Sequence, residues 1–490
     1  MRLLLSISVL LSAGLHEVIA QTGPAAGVQN NTFNATHGPY NPQTAMDRIK
    51  QANLSAEIGE KVLVALNFER SNWAGTSVRL DPFYTDLPSN WSSLPPGSIV
   101  KIEERSNISL YTIPPTLGLS RFVYTSKTFN GTVVPASAFV LWPWFTQDIK
   151  GSDGLPIITL AHGAIGWSGE GGMSHMRNMG TQWMTTSAAS ARGFVVVVPD
   201  YVGLGLDHDG HGNTLPHQFL ANEASGYDLL YATKAAKKAW RQLGSKYVIM
   251  GHSQGGGAAW GASLILGRNN QEAKDLGKGY LGTITGAPWL SLKTRIAHES
   301  SQIALNSVVS RIATGVNSIF PEFSLSDWLT EKGERVVRLL QDLQGSQSVA
   351  TQLFISADLI RSGWDQSWYY QSWERLTSVI AKPFAGPLLV LQGNGDSTVN
   401  ATGVRAAVDA TCAAIENADI EYIEFEKVNH LSVFLYGENI WLDWVLDRFS
   451  GKDVKPGCRT DGYVKPLRNS SEYKSQMNWF IEYSMHPYSG

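Results

Sequence analysis

The apolar run Tyr247-Val-Ile-Met250 stops at a serine fenced by glycines, Gly251-His252-Ser253-Gln254-Gly255. A strand that breaks off at a G-x-S-x-G pentapeptide and restarts as a helix turns too sharply for bulky neighbours. The glycines give clearance, and the hydroxyl is left exposed at the turn. Gly257 to Leu266 continues with the small and apolar side chains of a buried helix. The amides at its start would face negative charge building up beside Ser253. The chemistry this suits is nucleophilic attack on a carbonyl.

Serine is a weak nucleophile at neutral pH, so it needs a base within hydrogen-bond reach and an acid to orient that base. After such an elbow, the acid and then the histidine come from loops at the carboxyl ends of later strands. Asp396 follows the run Leu388-Leu-Val-Leu-Gln-Gly-Asn-Gly395, a strand and a tight turn, and His430 follows the next strand in Val428-Asn-His-Leu431. Ser253, Asp396 and His430 are therefore the expected nucleophile, acid and base. The oxyanion donors are expected to be the amides of Gln254 and of Ala164, in the loop after the strand ending His162-Gly163, with the Gly163 amide as the alternative to Ala164. His162 and His252 are read as packing or hydrogen-bonding these loops. Glu170, His175, Asp200, Asp207, His208, Asp209 and His211 form a polar cluster expected on a solvated loop or pocket rim. The spacing Asp207-His-Asp-Gly-His211 matches no closed ligand set, so neither metal nor cofactor is expected.

These side chains need a scaffold, and strand-like and helical stretches alternate through the middle of the chain. Strands are expected at Arg121–Thr125, Ala138–Trp142, Leu155–Gly163, Phe194–Asp200, Tyr247–Met250, Tyr280–Gly286, Pro387–Gln392 and, near an edge, Ile420–Glu426. Helices are expected over 42–68, 180–191, 215–243, 253–266, 401–415 and 438–448. The alternation implies a mostly parallel central sheet with helices on both faces, the α/β class. Residues 290–384 break the rhythm with helical sequence and the aromatic cluster Trp364–Trp373, and are read as a cap inserted before the strand carrying Asp396. Its aromatic rings could line an apolar pocket or form the cap's own core. The expected organisation is a leader over 1–20, an N-terminal extension over 21–119, core over 120–289, cap over 290–384, core over 385–450 and a loose tail over 451–490.

Net charge is -3 and charged residues make up 17%, below the roughly 25% of ordinary soluble domains, so no basic surface argues for nucleic acid. Arg2, the apolar run Leu3–Leu15 and Val18-Ile19-Ala20 read as a cleaved secretory leader, because the run is shorter than the roughly 20 residues that span a bilayer. No integral membrane segment is expected. Asn-x-Ser/Thr sequons at Asn30, Asn34, Asn53, Asn90, Asn107, Asn130, Asn400 and Asn469 fit a secreted glycoprotein. In an oxidising compartment Cys412 and Cys458 are expected to pair, with two buried thiols as the alternative. Oligomeric state is not legible.

With these residues placed, the chain resembles the secreted fungal lipase and esterase family of the α/β-hydrolase superfamily, the lipase A type. The resemblance rests on Asp81-Pro-Phe-Tyr84, the turn Pro95-Pro-Gly-Ser98, Tyr124-Thr-Ser126 through Pro135, Pro199-Asp-Tyr-Val-Gly203, the elbow and Gly395-Asp-Ser-Thr-Val399. It implies the α/β-hydrolase fold, a secreted protein and hydrolysis of a small-molecule or lipid carboxylic ester through an acyl-enzyme on Ser253, Asp396 and His430. His162-Gly163 and Gly255-Gly-Gly257 follow esterases more than the lipase A pattern, and members similar to this family remove acetyl groups from secondary metabolites. A serine aminopeptidase on the same fold, or a silent binding protein on a hydrolase scaffold, are the alternatives.

Overall fold

The structure is a computed structural model and describes residues 40–179, 183–299, 301–356 and 358–474. The leader over 1–20 and the sequons at Asn30 and Asn34 lie outside the described residues. Strands β1 (Ile99–Glu103), β2 (Leu117–Lys127), β3 (Val133–Pro143), β4 (Leu155–Ala161), β5 (Val195–Pro199), β6 (Leu243–His252), β7 (Tyr280–Gly286), β8 (Leu388–Gly393), β9 (Ile420–Phe425) and β10 (Arg459–Val464) form one ten-stranded sheet. Its order is β1-β2-β3-β5-β4-β6-β7-β8-β9-β10. From β5 to β10 all neighbours are parallel, while β1, β2 and β3 are antiparallel to one another and β3 to β5.

Side chains alternate across a strand, so a strand apolar at every position must be covered on both faces. Val195 and Val197 of β5 pack in a layer with Leu229 and Ala258, from the helices Asn222–Ala239 and Gln254–Leu266. Val196 and Val198 face the other way, toward Ala189 and Phe449 of the helices Trp183–Ala191 and Glu438–Phe449. Tyr247 and Ile249 of β6 belong to the first layer, Val248 and Met250 to the second.

The chain passes from β4 outward to β5, then returns to β6 on the other side of β4. Strand order therefore switches between β4 and β6, where ligand crevices of parallel sheets form beyond the carboxyl ends. The register brings Ala161 opposite Gly251, so the loop after β4 and the turn after β6 leave the sheet side by side.

Between β7 and β8 the described residues hold six α-helices, Leu292–Ala297, Gln302–Val316, Leu325–Trp328, Glu331–Asp342, Gln347–Leu353 and Trp368–Thr377. Their apolar sides form a separate cluster around Trp328, Trp364 and Trp373, which are buried, whereas Trp368 is exposed. Most of the aromatic cluster thus packs within the insert. Among the described residues, no helix is long and apolar enough to cross a membrane.

Several segments depart from the sequence reading. The single helix expected over 42–68 is two, Pro42–Gln51 and Ala56–Ser71. Asn53 takes a left-handed φ of 56° between them, and Ser55 caps the second by accepting from the Ile58 amide at 3.3 Å. These helices join the apolar cluster of the insert through Ala45, Ile49, Val62 and Leu66, while β1 joins the sheet. The sheet therefore begins upstream of the boundary at 119, and 21–119 is not one separate piece. The stretch 451–490 is not wholly loose, because Arg459–Val464 pairs in parallel with β9 as the edge strand. Its alternation is weak, and it is secured by the bond between Cys412 and Cys458 immediately before it.

Candidate active site

Ser253 is the hinge between β6 and the helix Gln254–Leu266, with φ 58° and ψ -119°, a strained backbone for a residue with a side chain. Three bonds hold it there. Its amide donates to Gly286 O at 3.0 Å, and its carbonyl accepts from Trp289 N at 2.9 Å and Gly257 N at 3.2 Å. The glycines on either side are required by distance. A Cβ on Gly251 would stand 2.0 Å from Gly255 O, and one on Gly255 would stand 2.0 Å from Ala161 O. The elbow can sit this close to β4 only without those side chains.

Ser253, Asp396 and His430, far apart in the chain, are brought into one line. His430 Nε2 lies 2.9 Å from Ser253 Oγ and its Nδ1 2.8 Å from Asp396 Oδ2. Ser253 is half-buried, and the other two are buried. The Asp396 Oδ1 atom accepts from the Thr398 and Val399 amides, both at 2.8 Å, and Oδ2 also accepts from Gln392 Nε2 at 3.2 Å. Burial raises the Asp396 carboxyl, but the His430 charge and hydrogen bond, with the two amides, outweigh it and hold it below its ordinary value. The carboxylate stays ionised and keeps a proton on Nδ1, which leaves Nε2 free to accept one from Ser253.

The neighbouring histidines hold loops. His252 Nε2 donates to His430 O at 2.8 Å, and the two rings pack with centroids 4.7 Å apart. Burial, then the His430 charge, push its pKa down to about 3. His162 contacts Gly163 O through Nδ1 at 2.7 Å and Asp200 O through Nε2 at 3.3 Å. Burial lowers its pKa, and a neutral ring has a single N–H, which the shorter contact takes. A trans peptide points its carbonyl and the next N–H in opposite directions, so pinning Gly163 O also fixes the direction of the Ala164 amide. Gln254 opens the helix after Ser253, where first-turn amides have no intrahelical acceptor. Its side-chain Nε2 donates to His217 Nε2 at 3.1 Å, and His217 Nδ1 in turn donates to Val202 O at 3.1 Å. Burial pushes the His217 pKa down to about 3, which keeps that acceptor unprotonated.

The polar cluster expected at a solvated rim is a correction. Glu170, His175, Asp200, Asp207 and Asp209 are buried, and only His208 and His211 keep substantial exposure. Each carboxylate is occupied within the protein. Asp200 accepts from the Ser174 amide at 2.7 Å and the Ser137 hydroxyl at 2.6 Å, Glu170 lies 3.0 Å from His175, Asp207 pairs with Arg79 at 3.2 Å, and Asp209 accepts from the His211 amide at 2.7 Å. They tie the loops after β4 and β5 together. Among the described residues no group of three or more His, Cys, Asp or Glu could hold a metal ion.

Gln392 and His217 belong to no motif of the sequence. Gln392 left a trace, a polar residue ending the apolar run Leu388–Leu391 and buried among acceptors at Gly393 O and Val399 O. His217 left none, because its partner is reached only through the fold. The sequon residues Asn53, Asn90, Asn107, Asn130, Asn400 and Asn469 are all exposed.

A family model described as Secretory lipase matches residues 174–457. Among curated relatives, Lipase 4 of Candida albicans is 25% identical over 338 residues, covering 60% of this chain and 66% of its own. Lipase 5 of the same organism is 24% identical over 295 residues, covering 55% and 58%. The matches thus span less than two thirds of these relatives' own length. Among solved structures, Candida antarctica lipase A in its closed state aligns with a TM-score of 0.60 at 17% identity, over 79% of this chain and 89% of that one. A point mutant of the rice cell wall degrading esterase LipA from Xanthomonas oryzae aligns at 0.55 and 14% identity, over 72% and 100%. At these identities the likeness is one of fold, the α/β-hydrolase arrangement of a mostly parallel sheet flanked by helices.

Proposed function

The chain belongs to the secretory lipase family, and from that premise we propose that it is an extracellular serine hydrolase of carboxylic esters. Ser253 is the nucleophile. His430 Nε2 takes its proton as Oγ bonds to the ester carbonyl carbon, and Asp396 stabilises the imidazolium through Nδ1–H. The charge developing on the carbonyl oxygen is met by the amides of Gln254 and Ala164. As the intermediate collapses, His430 returns the proton to the leaving alkoxide, and Ser253 is left acylated. Water, deprotonated by the same nitrogen, attacks the acyl carbon, and the acid departs as Ser253 regains its proton.

The observation that carries this reading is the unbroken hydrogen-bonded line from Asp396 through His430 to Ser253, at 2.8 and 2.9 Å. A scaffold with a silent site has no need of it. The bond between Cys412 and Cys458 and the exposed sequons support an extracellular address. The test is labelling by a fluorophosphonate together with turnover of 4-nitrophenyl esters from acetate to oleate and of matching anilides. The wild type is expected to label and to cleave esters, and Ser253→Ala to do neither while keeping its circular dichroism spectrum. Turnover surviving in folded Ser253→Ala refutes the proposal, and a preference for anilides transfers it to the aminopeptidase class.

A further inference from the structure

Arg311 lies in the helix Gln302–Val316 of the insert, flanked by the buried residues Val309, Ser310, Ile312 and Ala313. Its guanidinium carbon is 5.1 Å from the ring centroid of Trp167 and 5.6 Å from that of Phe354. Both rings are buried, with 8% and 1% exposure. Among the described residues no carboxylate answers this charge, and no acceptor receives a hydrogen bond from the guanidinium. Nε is sealed off, while the residue as a whole keeps partial exposure. The neighbouring Trp167 Nε1–H is likewise buried without an acceptor. Burial alone pushes the Arg311 pKa down to about 10, so the group is still charged at neutral pH.

A partly desolvated guanidinium without a counter-charge is costly to the fold, and aromatic faces offset this only in part because they accept no in-plane hydrogen bond. What is missing is an oxyanion. The planar fork of an arginine matches the two oxygens of a carboxylate.

Packed side chains link Trp167 to the proposed active site. Trp167 is three residues beyond Ala164, which puts their Cα atoms within about 11 Å of each other. The Trp167 ring meets Phe219 edge-on at 5.2 Å, Phe219 lies 6.0 Å from His217, and His217 holds the Gln254 side chain at 3.1 Å.

We infer that Arg311, held against the Trp167 ring, forms an anion subsite under the insert, and that the ester cleaved at Ser253 carries a carboxylate. This rests on the serine-esterase reading above. The subsite binds the carboxylate in the ground state and places the ester carbonyl between Ser253 and the amides of Gln254 and Ala164. It favours esters of acidic molecules over neutral esters of equal size.

The test compares kcat/KM within two matched pairs. On the acyl side these are 4-nitrophenyl hydrogen adipate and 4-nitrophenyl hexanoate, and on the alcohol side 4-acetoxybenzoate and phenyl acetate. The readout is the ratio of anionic to neutral ester in one preparation, which cancels any inactive fraction. The wild type is expected to give a ratio of about ten or more in at least one pair, the discrimination typical of a charge-assisted hydrogen bond. Arg311→Met is expected to bring that ratio to one or below, and Trp167→Phe, which keeps a ring against the guanidinium, to leave most of it. Should Arg311→Met not fold, Arg311→Lys, which keeps the charge without the fork, must lower the ratio. Neutral esters turned over with a ratio of one or less in both wild-type pairs overturn the subsite, as does a ratio unmoved by the Arg311 variants. Failure to cleave any of the four esters overturns the esterase reading instead.

Discussion

Replacing Asp396 by asparagine changes one atom, and its surroundings dictate which way the new amide must face. Oδ1 accepts from the Thr398 and Val399 amides at 2.8 Å, so the asparagine oxygen has to occupy that position. The NH2 group then falls where Oδ2 was, against His430 Nδ1 and Gln392 Nε2, both of which donate to the carboxylate. Gln392 cannot simply rotate its amide, since Nε2 also donates to Gly393 O at 3.0 Å and Val399 O at 3.1 Å. His430 must instead accept at Nδ1 and carry its proton on Nε2, facing Ser253 Oγ with an N–H where a lone pair is needed. The expected loss in kcat is on the order of 10³–10⁴, the scale for a triad histidine held in the wrong tautomer, with KM little changed. The assay is kcat and KM for 4-nitrophenyl butyrate at pH 7 to 9, with thermal unfolding to verify the fold. A folded Asp396→Asn protein within tenfold of wild-type kcat would refute the tautomer argument and the role given to Asp396.

His252→Ala removes the donor to His430 O, and kcat is expected to fall roughly tenfold, with His252→Gln, whose amide can reach the same oxygen, restoring most of it. Equal rates in all three proteins would remove His252 as a positioning residue. Glu69 accepts the Ser346 and Val349 amides at 2.8 Å each, and burial pushes its pKa up to about 7 from 4.5. The unfolded chain releases this proton first, so wild-type stability falls as pH rises from 4.5 to 7, by as much as about 3 kcal/mol, and levels off above. Denaturant titrations of wild type and Glu69→Gln at pH 5 and 8 should show the wild type losing ground between the two; a pH-independent difference rejects the assignment. The Cys412–Cys458 bond closes a separation of 46 residues, for which chain entropy predicts about 4 kcal/mol, so Cys412→Ala/Cys458→Ala should unfold at lower temperature and exchange the β10 amides faster. Unchanged unfolding in the double variant would show that the tail holds without it.

Some of this architecture is legible locally. The elbow can be read because strand, turn and helix are adjacent in the chain and the spaces around Gly251 and Gly255 exclude any larger residue. The buried strands can be read for a similar reason, as Val195–Pro199 is apolar at each position and must be covered on both faces. The split at Asn53 was harder. An apolar pattern runs across it, and the break depends on one left-handed residue and the Ser55 cap. Strand β10 was hidden because Thr460, Gly462 and Val464 offer no strong alternation, and its pairing is held by the covalent link to Cys412.

The chain alone determined the residue types capable of the chemistry, their order and the alternation that builds a parallel sheet, because these follow from side-chain chemistry and neighbours a few residues away. Folding in three dimensions set the 2.9 Å approach of His430 to Ser253, the burial of the polar loops after β4 and β5, and the placing of Arg311 between two rings. Hydrogen bonds and desolvation act over a few ångströms, and residues that close in space come from segments far apart in sequence. Whether a charge is paired, or a histidine points at a serine, is settled when those segments pack.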